Sequence, residues 1–272
     1  MILTLLTTMK PYCMLTQIGL FTCLATCLAT CITLPVVADQ VNDSPPSALK
    51  SSTYDLVHHL LDQNLGTRKF PFTEVVHASS GKKVLPFDKS QPAHQDFLTA
   101  MTKSVNAATT AMNKDSSPVR RLRRINEASR YFEDHLRKSL QTHPMLSCSI
   151  PKNTQGKEQR SGYPDLLITH TNASEKKTHF YLDPKLYEKK SRASTLRTFY
   201  FEPRTRTNKI QHDAVHLLIG ISHDGNQGKW QFTGWEICDL SKFQVRLKAE
   251  FQASNQDLYR PHIIVKSSEN LP

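Results

Sequence analysis

The feature that most constrains the fold of this chain is a pair of short apolar runs, residues 165–168 and 179–182. They are separated by the polar segment Thr-Asn-Ala-Ser-Glu-Lys-Lys, whose residues favour a turn. The pattern predicts a β-hairpin with Asp165 at the start of its first strand. Asp183 and Lys185 are predicted at the end of the second strand and on one face, because strand side chains alternate with a period of two.

These three charged side chains predict a metal-assisted chemistry. Two carboxylates brought together suit a hard cation such as Mg²⁺, which takes oxygen ligands and retains several waters. An ammonium group beside such a cation can orient an attacking water or stabilise charge that develops on a phosphate. We therefore expect Asp165 and Asp183 to be catalytic metal ligands, with Lys185 as a further catalytic residue.

The same residues carry a family resemblance. Pro164-Asp165, followed by Asp183-Pro184-Lys185 on an apolar strand, resembles the PD-(D/E)xK nuclease superfamily, which includes most type II restriction endonucleases. Residues 196–203 and 209–221 resemble segments that follow this motif in some restriction-enzyme families, and the resemblance covers roughly residues 118–260. It implies a Mg²⁺-dependent endonuclease that hydrolyses phosphodiester bonds of double-stranded DNA and uses no small-molecule cofactor. A homodimer is a possible assembly. The alternative is a chance match, since each short motif is common.

A long helix is predicted after Ser117, because Ser caps a helix start, Pro118 suits the first turn and Pro144 follows the end. In PD-(D/E)xK nucleases a helix before the motif often supplies another metal-binding carboxylate. Glu133 borders the apolar face and is the first candidate for that catalytic role, and Glu127 is the second. The alternative for either residue is a solvated acid paired with a neighbouring Arg.

The charge of the chain indicates an acidic partner. Thirty-five Lys and Arg residues against 24 Asp and Glu residues give a formal charge of +11, which favours nucleic acid or an anionic membrane surface. Aromatic residues are interleaved with the basic ones after the motif, and such a segment can hold phosphates or reach base edges. The alternative is a solvated basic loop around a buried aromatic strand. The predicted DNA contacts are Arg120, Arg121, Arg124, Lys189, Lys190, Arg192, Arg197, Arg204 and Lys209.

Two other classes of function stay open. His212 and His216 are four residues apart, so on a helix both would face one side as zinc ligands of a hydrolase. A non-catalytic secreted protein that binds polyanions would need the basic surface but not the two aspartates.

The first 38 residues have the layout of a secretory signal peptide, with an apolar stretch that ends in Val36-Val37-Ala38. An uncleaved membrane anchor and a lipid-attachment signal ending at Cys27 or Cys31 are the alternatives. Residues 39–52 are predicted as a flexible linker. We expect a periplasmic or secreted protein, although restriction enzymes act in the cytoplasm. A cytoplasmic location follows if the apolar segment is not a functional signal.

Residues 53–272 are predicted as a single nuclease-like domain, with a helical part at 53–117 and a catalytic core at 118–260. Helices are expected at 54–65 and 94–114, and a loop with a short strand between them. Residues 209–221 are expected to begin as a helix and continue as a strand, before further strands at 230–238 and 243–251. The expected class is α/β, a restriction-endonuclease-like core of mixed β-sheet flanked by helices and preceded by N-terminal helices. Cys148 and Cys238 could form a disulfide or remain free thiols.

Overall fold

The computed structural model describes residues 52–248 and 250–267. The predicted signal peptide and, apart from Ser52, the predicted linker lie outside the described residues. Within the described ranges no helix is long and apolar enough to cross a membrane.

Strands at the centre of the fold form a mixed sheet. The strands of the described residues are β1 Lys69–Pro71, β2 Val84–Leu85, β3 Leu146–Ser149, β4 Leu166–Thr171, β5 Lys177–Glu188, β6 Ala214–His223, β7 Phe232–Asp239 and β8 Gln244–Arg246. Six of them form the large sheet, in the order β2-β6-β5-β4-β3, with β7 paired to β6. β6 runs parallel to β2 and β5, and the other pairs of this sheet are antiparallel. A small second sheet pairs β1 with β8.

Helices cover both faces of the large sheet. The helices are α1 Thr53–Asp62, α2 Phe72–Ser80, α3 Pro92–Asn113, α4 Ser129–Leu140 and α5 Asn255–Leu258. On one face, Phe97 of α3 stacks on Phe180 with ring centroids 4.3 Å apart, and Phe132 of α4 meets Phe232 at 4.8 Å. Burial of each such side chain stabilises the fold by about 1.5–3 kcal/mol. The predicted class, a mixed α/β core of restriction-endonuclease type, is confirmed.

The opposite face of the sheet packs against α2. Phe72 and Val76 of this helix belong to a second apolar cluster with Tyr181 of β5. Because side chains alternate along β5, Asp183 and Lys185 project on the same side as Tyr181. The predicted site therefore lies on the α2 side of the sheet.

The long helix predicted from Ser117 is wrong in its first part. Two 3-10 turns, Pro118–Arg121 and Ile125–Ala128, precede α4. Leu122, between them, has extended backbone (ψ 135), and its carbonyl accepts a hydrogen bond of 2.7 Å from Trp230 Nε1. A tertiary hydrogen bond thus replaces the helical one that the local sequence favours.

Three further predictions of local structure need correction. Helix α2 lies in the region 67–91 that was expected to be a loop, and it ends at Gly81, whose φ of 68° suits glycine. Residues 209–213 are not helical, because the Gln211 N–H donates to the Tyr181 hydroxyl at 2.8 Å instead of entering a helix. The strand expected at 243–251 is only the three-residue β8, and residue 249 lies outside the described ranges.

The hairpin at the predicted motif is confirmed, as are α1, α3 and β7 near their expected places. Cys148 and Cys238 are both free thiols, the first buried and the second exposed, so the alternative without a disulfide is the correct one.

Candidate active site

The hairpin places Asp165 and Asp183 opposite each other. The antiparallel register of β4 and β5 pairs Leu166 with Leu182, so the next pair towards the strand end is Asp165 with Asp183. The Asp165 N–H donates to the Leu182 carbonyl at 3.2 Å and extends the ladder to this point. The register thus places the two predicted metal ligands opposite each other at this end of the hairpin.

Asp183 lies within β5 rather than at its end. The strand continues to Glu188 because its second half pairs in parallel with β6, where Lys185 is opposite Gly220. Asp183 and Lys185 are thus both held by β6, whereas β4 pairs with β5 only as far as Leu182.

The carboxylate of Asp183 is buried, with 1% of the residue exposed. Lys185 Nζ lies 2.8 Å from Asp183 Oδ2 as an ion pair. Neither Asp183 oxygen has a partner that meets full hydrogen-bond geometry among the described residues. A buried carboxylate without directed donors is costly, and a bound cation would remove that cost.

The electrostatics of the pair follow from burial and like charge. Burial, then the charge of Asp183, raises the pKa of Asp165 to about 9. Burial lowers the pKa of Lys185, but the Asp183 carboxylate outweighs this effect and leaves that pKa above its ordinary value. At neutral pH and without a cation, Asp165 is therefore mainly protonated, while Lys185 is charged.

Glu133 lies near this pair but is engaged elsewhere. Arg160 Nη1 is 3.7 Å from Glu133 Oε2, and only 14% of the Glu133 side chain is exposed. Burial raises the pKa of Glu133, the nearby Arg160 lowers it, and Asp183 contributes a further rise. No group of three or more His, Cys, Asp or Glu side chains in the described ranges is arranged to hold a metal. Glu127, the second candidate, lies exposed on the second 3-10 turn.

A cleft of about 610 Å³ opens beside Lys185. Tyr187 and Glu188 line it further along β5, and Arg192 and Ser191 line it from the segment that follows. The cleft thus connects the charged cluster to part of the basic segment predicted to contact DNA.

Comparison with known proteins decides the family. The model of the type II restriction enzyme MjaV family matches residues 65–262. This chain belongs to that family. A relative from Methanocaldococcus jannaschii, named type II restriction enzyme MjaV, is 28% identical over 222 residues, which cover 79% of this chain and 96% of the relative.

In this MjaV-family chain, sequence reasoning missed a buried Tyr163–His216 pair next to the aspartates. The Tyr163 hydroxyl lies 2.7 Å from His216 Nδ1, and His216 is fully buried. Burial lowers the pKa of His216 to about 3, so its ring is neutral at physiological pH. Burial, then the charge of Asp183, raises the pKa of Tyr163 well above its usual range. A histidine inside an apolar strand was the available signal, but its partner is 53 residues away.

The zinc arrangement predicted for His212 and His216 is not formed. Neither residue is on a helix: His216 lies on β6, and His212 precedes that strand. The His212 ring stacks on His179 at a centroid distance of 4.1 Å, whereas His216 faces Tyr163. The shared helical face that the zinc prediction required is absent.

The residues predicted to contact DNA fall into three groups. Arg121, Arg124, Lys189, Lys190 and Arg197 are exposed. Arg120, Arg192 and Arg204 are exposed or half-buried and form ion pairs with Asp115, Glu236 and Glu202 at 3.3, 2.8 and 2.6 Å. Lys209 is 1% exposed and points into the protein, a position that does not suit the predicted contact with phosphate.

Proposed function

We propose that this chain is a Mg²⁺-dependent endonuclease of the PD-(D/E)xK type that hydrolyses phosphodiester bonds of double-stranded DNA. Membership of the type II restriction enzyme MjaV family supports DNA as the substrate. The observation that carries the proposal is the buried Asp183 carboxylate, opposite Asp165 and without a directed hydrogen bond from the described residues. Charged Lys185 beside it supports hydrolysis rather than binding alone.

The donor set suits magnesium. Mg²⁺ is usually bound through one or two carboxylates and keeps several waters, so Asp165 and Asp183 are sufficient protein ligands. Glu133 is proposed as a third carboxylate of the site, since Asp183 and Lys185 already influence its pKa. When bound, Mg²⁺ would supply a Lewis acid that stabilises negative charge on the phosphate.

The roles of the protein groups follow from their charges. Asp165, which holds a proton when the pair is free of metal, must release it for both carboxylates to act as ligands. Lys185 stays protonated, so its Nζ would orient the attacking water and donate to a phosphate oxygen as charge develops there. Because Asp183 holds the ammonium group at 2.8 Å, that donor is in place before substrate arrives.

The basic surface would bind the phosphate backbone. Lys189 and Lys190 follow β5 directly, Arg197 lies further along the same segment, and all three are exposed. Arg192 and Arg204 would have to exchange Glu236 and Glu202 for phosphate oxygens. Contacts of this kind position DNA without reading its sequence.

The proposal is tested with the purified full chain and plasmid DNA. We expect cleavage with Mg²⁺, loss of cleavage with excess EDTA, and recovery when Mg²⁺ is restored. Glu133→Gln and Asp165→Asn should both reduce cleavage. Salt-sensitive DNA binding without any cleavage would favour the non-catalytic polyanion-binding function. Sedimentation at several concentrations tests the proposed homodimer.

Export is a separate proposal, supported by the composition of residues 1–38. Mass spectrometry of the mature protein should find an N-terminus after Ala38. A chain that starts at Met1 or Met9 would show that the segment is not a cleaved signal and would favour the cytoplasm.

A further inference from the structure

Lys209 is a buried lysine that the proposed chemistry does not use. Its ammonium group donates to the carbonyl of Gln159 at 3.0 Å and to that of Gly162 at 2.6 Å. The residue is 1% exposed. Burying an ammonium group is unfavourable unless its protons are bonded, and both partners here are backbone carbonyls of one loop.

That loop leads directly into the active site. The two carbonyls lie on either side of Arg160, whose Nη2 donates to Asp134 Oδ1 at 2.9 Å and whose Nη1 is 3.7 Å from Glu133. Gly162, with φ of 77°, connects the loop to Tyr163, and Asp165 follows two residues later. Lys209 therefore binds the loop on both sides of Arg160 and three residues before Asp165.

Lys209 also lies in the field of the carboxylates without contacting them. Burial lowers its pKa to about 8, and Asp165, Asp183 and Glu133, in that order, oppose the decrease. The ammonium group is thus mainly charged at neutral pH. Its positive charge compensates part of the negative charge that the site buries.

We propose that Lys209 is a positioning residue of the active site: its ammonium group holds the Gln159 and Gly162 carbonyls so that Arg160 faces Glu133 and Asp165 faces Asp183. This role rests on the proposed nuclease function. Lys209 acts through the loop and touches neither substrate nor metal.

The test compares Lys209→Met, which removes the charge and both hydrogen bonds, with Lys157→Met. Lys157 is exposed on the same loop and serves as the matched control. Loss of a group that supports metal ligands typically costs about 10–100-fold in activity, so we expect kcat to fall by that factor in Lys209→Met. DNA affinity without metal should stay near the wild-type value, and Lys157→Met should cleave normally.

Hydrogen exchange gives a readout that is independent of activity. In Lys209→Met, amides of residues 156–166 should exchange faster while those of α3 and β6 keep their protection. Lys209→Gln keeps one neutral donor and should show an intermediate effect, which keeps the test informative if the Met variant does not fold. Unchanged exchange at 156–166 in Lys209→Gln would overturn the proposal.

A double-mutant cycle separates positioning from general stability. If Lys209 acts through Arg160, the loss in kcat of the double variant that also carries Arg160→Ala should be far smaller than the product of the two single losses. Multiplicative losses, together with faster exchange throughout the protein, would reduce Lys209 to a structural residue and overturn the proposal. Absence of cleavage by the wild-type chain would instead contradict the nuclease function, while the exchange result would still report on the loop.

Discussion

Asp183→Asn is the substitution that tests the site most directly, because it should abolish both the stabilisation by Mg²⁺ and the activity. The amide has nearly the shape of the carboxylate but no charge. Asp183 is 1% exposed, lacks directed hydrogen bonds from the described residues and opposes Asp165, whose pKa it helps to raise to about 9. When no cation is bound, the buried Asp183 carboxylate is therefore compensated by the Lys185 ammonium group at 2.8 Å.

The expected magnitude without metal follows from the ion pair. Replacing both members of a buried ion pair by neutral groups often stabilises a protein by about 1–4 kcal/mol, whereas removing one member costs about 3–5 kcal/mol because the other charge is left buried. Asp183→Asn removes one member, but the Lys185 side chain is 32% exposed and can be partly solvated, so we expect a loss of about 1–3 kcal/mol in EDTA. This loss corresponds to a fall in melting temperature of roughly 2–12 °C for a chain of this size.

Thermal unfolding in excess EDTA measures the loss of the ion pair, and the same measurement in saturating Mg²⁺ measures the response to the metal. Wild-type protein should gain about 2.7 kcal/mol at a Mg²⁺ concentration 100 times the Kd, whereas Asp183→Asn should gain almost nothing. Its cleavage rate should fall at least about 10²-fold. Glu188→Gln, on the opposite face of the same strand, is the control and should keep the Mg²⁺ response. Wild-type cleavage by Asp183→Asn, or a wild-type gain of stability with Mg²⁺ in that variant, would refute the reasoning.

Three further predictions follow from the same structure. In Lys185→Arg the cleavage rate should fall by about 10²–10³-fold, because a planar guanidinium does not reproduce a compact ammonium group. Single-turnover cleavage of bound DNA measures this rate, and wild-type activity would mean that the Asp183-Pro184-Lys185 match is accidental. DNA affinity should fall steeply with salt concentration. Lys189→Ala should reduce the slope of the logarithm of the binding constant against the logarithm of salt concentration by about one, while turnover at saturating DNA stays normal. A salt-independent affinity would exclude the phosphate contacts. Since the pKa of His216 is lowered to about 3 in the folded state, its contribution to stability is complete above about pH 6.5 and is lost as the pH falls towards 3, at up to about 1.4 kcal/mol per pH unit. Thermal unfolding at pH 7 and pH 5 should show a smaller loss for His216→Asn than for wild-type protein, and equal losses would contradict a neutral buried ring.

The hairpin and its charged residues could be predicted because their signals are local. Alternating side chains, a polar turn and two apolar runs determine which residues of β4 and β5 share a face, and the register then brings Asp165 to Asp183. Net charge is likewise a property of composition, so an acidic partner could be expected without coordinates.

The helical predictions failed where distant groups compete for the backbone. Trp230, 108 residues further along the chain, donates a hydrogen bond to the Leu122 carbonyl, and the Tyr181 hydroxyl accepts one from the Gln211 N–H. The helix-start signals at Ser117 and Pro118 reflect only local preference, which such tertiary hydrogen bonds override. Helix α2 had a local signal, Phe72 and Val76 one turn apart before Gly81, that the loop prediction overlooked.

The sequence by itself therefore determined the mixed α/β class, the basic surface and the two aspartates with their lysine, since each depends on near neighbours or on composition. Only the tertiary structure decided that Lys209 is buried against the Gln159–Gly162 loop rather than exposed to DNA, and that His216 meets Tyr163 rather than His212. The sequence alone does not show whether Lys209 and His216 face solvent or protein. Their environments arise from strands and loops about 50 residues apart in the chain, which come together only when the sheet forms.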